Sequence, residues 1–497
     1  MVIDPQTPVI VGVAQATYRD GSALDPIEMI AAVIADAGID GTGDGRLIAK
    51  ADILAVVDIA SLQIPDPAAL AAQKLGITPR ATVRSAIGGD GPHALMADVC
   101  GAIARGEAEV GVVAGAEALA TLSRAMKSGE MPQWPLQESS VKPTRTVGSE
   151  RPNTSAAEQA ASLIAPIMIY PLFESALWAR SGRTLEEERL YLGRLWARFA
   201  AVGQGNPYAW TQRAYSAEEI AFASPENRLV NHPYTKLLNS NIQVDQAAAI
   251  VVCSVSVARS LGISPQRWVF PHSYASGHDH WFVSERADLH SSPALAAAGR
   301  EALAGAGVGI DEIAYLDLYS CFPSAVQIAA IELGIDLETD ARPPTVTGGL
   351  TFAGGPGNNY VTHSLATMVK RLREDPGSLG LVTGVGWYLT KHAVGIYSTD
   401  LPKRPFSSTS VQAEVDLLPV RLVAEGYAGK AVAESSSTLY ERDGSPSLGM
   451  LTALLPDGRR ALGSTRDLDS LAILTSGPVA GRSVVFSGSG DISFEQG

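Results

Sequence analysis

Apolar residues in this chain recur in unbroken runs rather than in alternation. Residues 8–15, 52–57, 110–117 and 244–252 are dominated by Val, Ile, Ala and Gly and hold few polar groups. A strand with one wet face must alternate, because successive side chains point to opposite faces. A run that does not alternate belongs to a strand covered on both sides, and so to a mainly parallel sheet between helices. Helix-type patterns fall between these runs. Asp25-Pro26 starts one, with Ile27, Ile30, Ala31 and Ile34 on one face and proline at the first helical position, where its missing N–H costs nothing. This βαβα order predicts an α/β fold, with residues 8–15 as a buried parallel strand.

Between about residues 120 and 230 the pattern changes to polar loops and amphipathic segments rich in Trp, Tyr and Arg. Strand-type runs resume at 244–252 and continue near 268–271, 313–319 and 380–384, so a second α/β half is expected. The halves repeat an order of elements, not matched residues. Past about residue 405 no helical pattern is visible. Residues 411–414, 417–423, 429–436, 447–455, 459–464 and 484–487 read as short strands, and Asp443-Gly444 and Asp457-Gly458 are hairpin signals. A small antiparallel β-barrel is expected there. The chain divides into residues 1–120 with 236–262, a loop domain at 121–235, a second half at 263–404, and the barrel at 405–497.

Composition narrows the partners. A formal net charge of −14, with no basic cluster, argues against nucleic-acid binding. It leaves room for a phosphorylated ligand, because glycine-rich turns and helix N-termini bind phosphate locally. Cys100, Cys253 and Cys321 are widely spaced and form no disulfide framework, which points to a reducing compartment. The N-terminal residues lack the basic and apolar regions of a signal peptide, and no apolar run reaches the roughly 18 residues that span a bilayer. A cytoplasmic protein is the expectation.

Four segments, taken in order, carry a resemblance to a known family. The first is Gly88-Gly89-Asp90-Gly91-Pro92-His93-Ala94-Leu95, a glycine-rich elbow between a strand and a helix. The second combines Asn206-Pro207-Tyr208 with residues 234–240 and Asp245-Gln246-Ala247-Ala248. The third is Leu318-Tyr319-Ser320-Cys321-Phe322. The fourth is Gly348-Gly349 with Gly354-Gly355-Pro356-Gly357. Over roughly residues 5–400 this resembles the thiolase superfamily, most closely its sterol-carrier-type branch. The resemblance implies a thiolase fold of two similar halves with a loop domain, an acyl-CoA ligand, and a site built on these segments. In such enzymes a cysteine thiolate on the elbow takes the acyl group, a histidine activates it, and a second cysteine moves a proton. Here Gly88 stands at the nucleophile's position, Gly355 at the histidine of the Gly-His-Pro turn, and Tyr319 at the histidine of the His-Asp-Cys-Phe motif. Thr383 precedes Gly384 where the family's late Cys-x-Gly turn has its cysteine. Cys321 alone is retained. Ordinary thiolase activity is therefore not expected.

Two functions stay open. One is non-covalent carbon–carbon cleavage of retro-aldol type, or acyl transfer, at a remodelled site. Tyr319 resembles the Tyr-Asp-Cys-Phe version found in steroid-side-chain retro-aldolases of the superfamily, although their Asp is Ser320 here. Tyr319 and Cys321 would be acid/base groups, His392 a second base and Asn359 an oxyanion donor. Gly88, His93, His272, Gly355, Asn358, Gly386 and Lys391 would contact substrate or CoA. The other is a catalytically silent protein that binds CoA esters or scaffolds a partner. Each candidate also has a plain structural reading: Tyr319 as a buried hydrogen-bonding strand end, Lys391 and His392 as residues after a turn, Asn358 and Asn359 as turn formers, His93 as part of a helix start. His278-x-His280 resembles a metal pair, but no Cys or Glu cluster completes it, so no metal is expected. A homodimer and a monomer are both compatible with the sequence.

Overall fold

The computed structural model describes residues 3–21 and 24–494. Two mixed sheets repeat one strand order. The first runs Arg145–Val147, Ala81–Ser85, Ile53–Val56, Val110–Ala118, Asp245–Ser254, Pro8–Thr17; the second runs Ile313–Asp317, Leu379–Gly386, Lys391–Ser398, Phe270–His278, Ser407–Ser410. In each, a parallel pair is followed by two antiparallel steps. The internal repeat is thus one of topology and strand direction.

Pro8–Thr17 lies antiparallel to Asp245–Ser254, which corrects the parallel pairing expected for residues 8–15. Two-sided burial makes a strand apolar throughout and says nothing about its direction.

Helices complete the layers. Gly91–Ala104 and Tyr360–Glu374 lie between the sheets and touch strands of both. Pro26–Thr42 covers the outer face of the first sheet and Pro293–Ala306 that of the second. Asp25 caps Pro26–Thr42, its Oδ1 accepting from the N–H groups of Ile27 at 2.8 Å and Glu28 at 2.9 Å. That helix presses on the sheet at Gly12, where a Cβ would stand 2.1 Å from the carbonyl oxygen of Ala37. Among the described residues no helix is long and apolar enough to cross a membrane.

Both sheets are finished at one edge by short added strands. Arg145–Val147 pairs in parallel with Ala81–Ser85, and Ser407–Ser410 with Phe270–His278.

The C-terminal region is an antiparallel sheet in the order Arg460–Thr465, Pro446–Leu454, Ala428–Tyr440, Ser483–Ser487, Ile492–Phe494. Its two edges meet where the Ser464 N–H donates to the Gly490 carbonyl at 2.9 Å. Three local expectations are corrected. Residues 412–415 form a helical turn, residues 417–423 run as an irregular strap, and Leu468–Ser476 is a helix. Asp467 caps that helix through Ser470 N–H at 2.9 Å, a start signal hidden among strands.

The C-terminal sheet grips the body through Arg460, which is fully buried. Its guanidinium donates to both oxygens of Glu434 at 2.7 and 2.6 Å, and to the carbonyls of Ser284 at 2.8 Å and Arg286 at 2.7 Å. Ser435 Oγ donates to the Leu172 carbonyl, so the sheet also holds the helix Pro166–Ser181.

Glu174 on that helix and Glu188 on the next, Leu185–Gly205, are both buried. Tyr234 and Gln327 each donate to Glu174 at 2.7 Å, and Arg183 Nε stands 2.8 Å from Glu188. Burial raises both carboxyls; the neighbouring Glu174 charge pushes Glu188 further, to about 8 from an ordinary 4.5, against the pull of Arg183. The folded pair therefore holds a proton that the unfolded chain gives up near 4.5, and its contribution to stability fades as pH rises towards 8. Unfolding free energies measured by denaturant titration between about pH 5 and about pH 9 should fall for the native chain and fall less steeply for Glu188→Gln. Parallel profiles would remove the pair as the cause.

Candidate functional site

The elbow forms where the strand Ala81–Ser85 turns through Gly88, Gly89 and Asp90 into the helix Gly91–Ala104. Gly88 has φ +144°, outside the range that residues with a side chain favour. A Cβ there would stand 2.3 Å from Asp90 Oδ1 and 2.5 Å from Lys391 Nζ. From the other half, a Cβ on Gly386 would stand 2.2 Å from Asp90 Oδ1 and 2.5 Å from Lys391 Cε. The two glycines form a cradle, and an ion pair fills it. Lys391 Nζ and Asp90 Oδ1 are 3.0 Å apart without hydrogen-bond alignment, and the ammonium donates to the Ile87 carbonyl at 2.5 Å.

The elbow's backbone donor is also engaged. Gly88 N–H donates to Asn358 Oδ1 at 3.0 Å, and Asn358 Nδ2 donates to the Asp58 carbonyl at 3.1 Å. Beneath the glycine turn at 354–357, Glu117 accepts from the N–H groups of Ala60 at 2.7 Å and Ser61 at 2.9 Å. Burial pushes its carboxyl up to about 7.

Beside the elbow opens a cavity of about 310 Å³. Gly88, Gly355 and Asn358 line it together with Tyr319, Cys321 and Tyr170. The Tyr319 hydroxyl lies over Gly89, where a Cβ would be 2.3 Å away, and has no hydrogen-bond partner among the described residues. Burial holds its proton well above the usual phenol range, and the charges of Cys321 and Asp90 add to that. Burial pushes the Cys321 thiol up to about 12, against a contact with Tyr170 that lowers it. Tyr170 donates to the Trp387 carbonyl at 2.9 Å and stacks on Phe322 at 4.5 Å.

Trp387 and Leu389 sit on the tight turn before Lys391–Ser398 with φ +56° and +50°, a strained conformation for side chains of this size. The turn is tied down at Tyr388, whose hydroxyl accepts from Asn153 at 2.7 Å and donates to the Ile164 carbonyl at 3.0 Å. Among the described residues, no carboxylate, imidazole or ammonium lines this cavity.

Several candidate residues lie elsewhere. Gly386 and Lys391 belong to the cradle. His392 faces away from the elbow: its Nε2 is 3.0 Å from Ser292 Oγ, 3.0 Å from the Leu389 carbonyl and 3.3 Å from Asp279 Oδ2. Asp279 and Ser292 cap the helix Pro293–Ala306, accepting from Ala294 and Leu295. Burial acts to raise Asp279, but His392, Arg286 and Ser292 outweigh it and hold the carboxyl below its usual range.

Asn359 is buried against Gly115, where a Cβ would be 2.3 Å from its Oδ1, and neither of its polar atoms has a partner. His272 is buried with Nε2 2.9 Å from the Asp400 carbonyl. His93 is buried beneath a different cavity. His278 and His280 engage the carbonyls of Asp279 and Pro419, and no group of three His, Cys, Asp or Glu among the described residues could hold a metal. Cys100 and Cys253 are buried free thiols, both raised by burial.

Sequence reasoning missed Asp90, Tyr170, Tyr388 and Asn153. Asp90 had a signal, an acid on the elbow itself. The other three come from the turn and the loop region, where no local pattern marks them.

Residues 410–490 match the family model of the thiolase-like protein type 1 additional C-terminal domain. Across 99% of its length the chain is similar to a monomeric SCP2-thiolase like protein type 1 from Mycobacterium smegmatis, with 31% identity, 100% of that chain covered and a TM-score of 0.85. The Ltp2-ChsH2(DUF35) aldolase is similar over 81% of this chain and 100% of its own, at 19% identity and a TM-score of 0.61. The dimeric peroxisomal thiolase of Saccharomyces cerevisiae is similar over 80% of this chain and 99% of its own, at 15% identity and a TM-score of 0.55. The last two likenesses are of fold alone. No curated protein matches the chain.

The cradle sets an expectation for stability. Gly88→Ala should destabilise the chain by about 1–3 kcal/mol, through the left-handed backbone and the collision with the ion pair. Gly355→Ala should cost little, since a Cβ there meets nothing closer than 3.4 Å. Chemical denaturation of the two variants checks this; equal losses would contradict the cradle.

Proposed function

This chain belongs to the SCP2-thiolase-like protein type 1 family of the thiolase superfamily, and from that membership we propose that it binds a coenzyme A thioester in the cavity beside the elbow without forming an acyl-enzyme. One observation carries the reading: the Lys391–Asp90 pair occupies the space a nucleophile on residue 88 would need. The elbow N–H that could have met a developing oxyanion is bonded to Asn358. Cys321 cannot substitute, because a thiol at about 12 supplies almost no thiolate at neutral pH.

What remains suits recognition. Tyr319 offers a protonated, unpartnered hydroxyl to a thioester carbonyl. Phe322, Leu350, Val385 and Ile242 supply apolar wall for the acyl group. No Lys or Arg among the described residues lines the cavity, so the phosphate-bearing end of the ligand stays outside it. The type 1 relative from Mycobacterium smegmatis is described as monomeric, which supports a monomer here.

A second reading, retro-aldol cleavage, is favoured by the same Tyr319 hydroxyl beside Cys321. It requires Tyr319 to give up its proton, and burial opposes that.

Isothermal titration with acetyl-CoA and larger acyl-CoA esters, followed by mass spectrometry of protein and ligand, tests the proposal. We expect binding, unchanged masses, and affinity weakened by about 0.5–1.5 kcal/mol in Tyr319→Phe. An acyl adduct on the protein, or a Tyr319→Phe variant with undiminished affinity, would contradict it. Cleavage products that vanish in Tyr319→Phe would establish the second reading instead.

A further inference from the structure

Three exposed isoleucines meet at the mouth of the cavity beside the elbow. Ile87, Ile164 and Ile242 are 41%, 52% and 51% exposed, and all three line it. They come from separate parts of the chain. Ile87 directly precedes Gly88, Ile164 lies just before the helix Pro166–Ser181, and Ile242 just before the strand Asp245–Ser254. Large apolar side chains occur singly on any protein surface, but three that converge on one opening mark a binding surface.

Each isoleucine is fixed through its own backbone. The Ile87 carbonyl accepts from the Lys391 ammonium at 2.5 Å, the Ile164 carbonyl from the Tyr388 hydroxyl at 3.0 Å, and the Ile242 carbonyl from the Val244 N–H at 3.0 Å. The side chains are therefore presented to water from set positions and form a collar.

Behind the collar the wall continues in the same character. Phe322, Leu350 and Val385 line the interior, and no charged side chain among the described residues does. The amide side chains of the wall are already engaged, Asn153 with the Tyr388 hydroxyl and Asn358 with Gly88 and Asp58. At roughly 30 Å³ for each non-hydrogen atom, the cavity of about 310 Å³ takes roughly ten such atoms. An acetyl group would leave most of that space to water held against apolar walls. A chain of about eight carbons or more would fill it and emerge on the collar. Pantetheine carries amides, which lose hydrogen bonds to water when they are laid on isoleucine side chains; a hydrocarbon chain loses none.

We propose that Ile87, Ile164 and Ile242 determine acyl specificity, and that the thioester this cavity takes carries an apolar acyl group long enough to pass through the interior and lie on the collar. This inference rests on the thioester reading and adds to it which acyl groups are selected and by which residues.

The test is isothermal titration of the full chain with acetyl-, hexanoyl- and decanoyl-CoA, and with S-decanoyl-N-acetylcysteamine, a thioester that lacks the nucleotide. Burial of each added methylene should tighten binding by roughly threefold, so decanoyl-CoA should exceed acetyl-CoA by about a hundredfold or more. Ile164→Ser and Ile242→Ser, both at exposed loop positions, should each weaken decanoyl-CoA by about threefold or more and leave acetyl-CoA unchanged. Ile39→Ser, an equally exposed position at 53% on the helix Pro26–Thr42, should change neither. Equal affinity for acetyl- and decanoyl-CoA would overturn the proposal and leave the thioester reading standing. Equal losses of both esters in the collar variants would assign the collar to the pantetheine arm and also overturn it. Binding of the cysteamine thioester without binding of any CoA ester, weakened in the collar variants, would keep the collar's role and remove coenzyme A. No binding of either kind would overturn both readings.

Discussion

The Lys391–Asp90 pair is the contact on which the rest of the site depends. Asp90 comes from the elbow of the first half and Lys391 from a strand of the second, so the pair fixes how the halves meet. Taking two charges out of water is costly unless each is compensated. The Ile87 carbonyl provides part of that compensation, and the glycines at 88 and 386 provide the room. Any side chain at residue 88 would displace the pair before it could reach a ligand. The absence of a nucleophile and the presence of the ion pair are therefore a single structural fact.

The second dependency runs through the C-terminal sheet. The buried Arg460 anchors it to the backbone at residues 284 and 286, and Ser435 to the helix Pro166–Ser181. That helix carries Tyr170, which contacts Cys321 and supports the strained turn at Trp387. One face of the helix thus meets the cavity beside the elbow while the added sheet holds another. The wall of the cavity is set from behind by a part of the chain that contributes no lining residue to it.

Much of this was legible in the sequence. The unbroken apolar runs gave the strands, and the elbow, the 318–322 segment and the 354–357 turn were placed around one cavity. The failures share a physical cause. Lys391 and His392 are adjacent in sequence, which suggests one site, but consecutive strand residues face opposite ways. Lys391 meets the elbow, and His392 meets the cap of a distant helix. Asn358 and Asn359, in the turn before the helix Tyr360–Glu374, also separate, one to Gly88 and the other to Gly115. Partners such as Asp279 and Ser292 lie too far along the chain for local spacing to reveal them. Strand direction at 8–15 was likewise beyond a pattern that records burial alone.

The three residues Arg145–Val147 complete the first sheet from within the chain. The outer side of Ala81–Ser85 is paired within the chain, so the order of the strand that leads into the elbow needs no second copy. The strand that feeds the elbow is thus held by an intramolecular pairing, whose strength does not vary with the abundance of the chain.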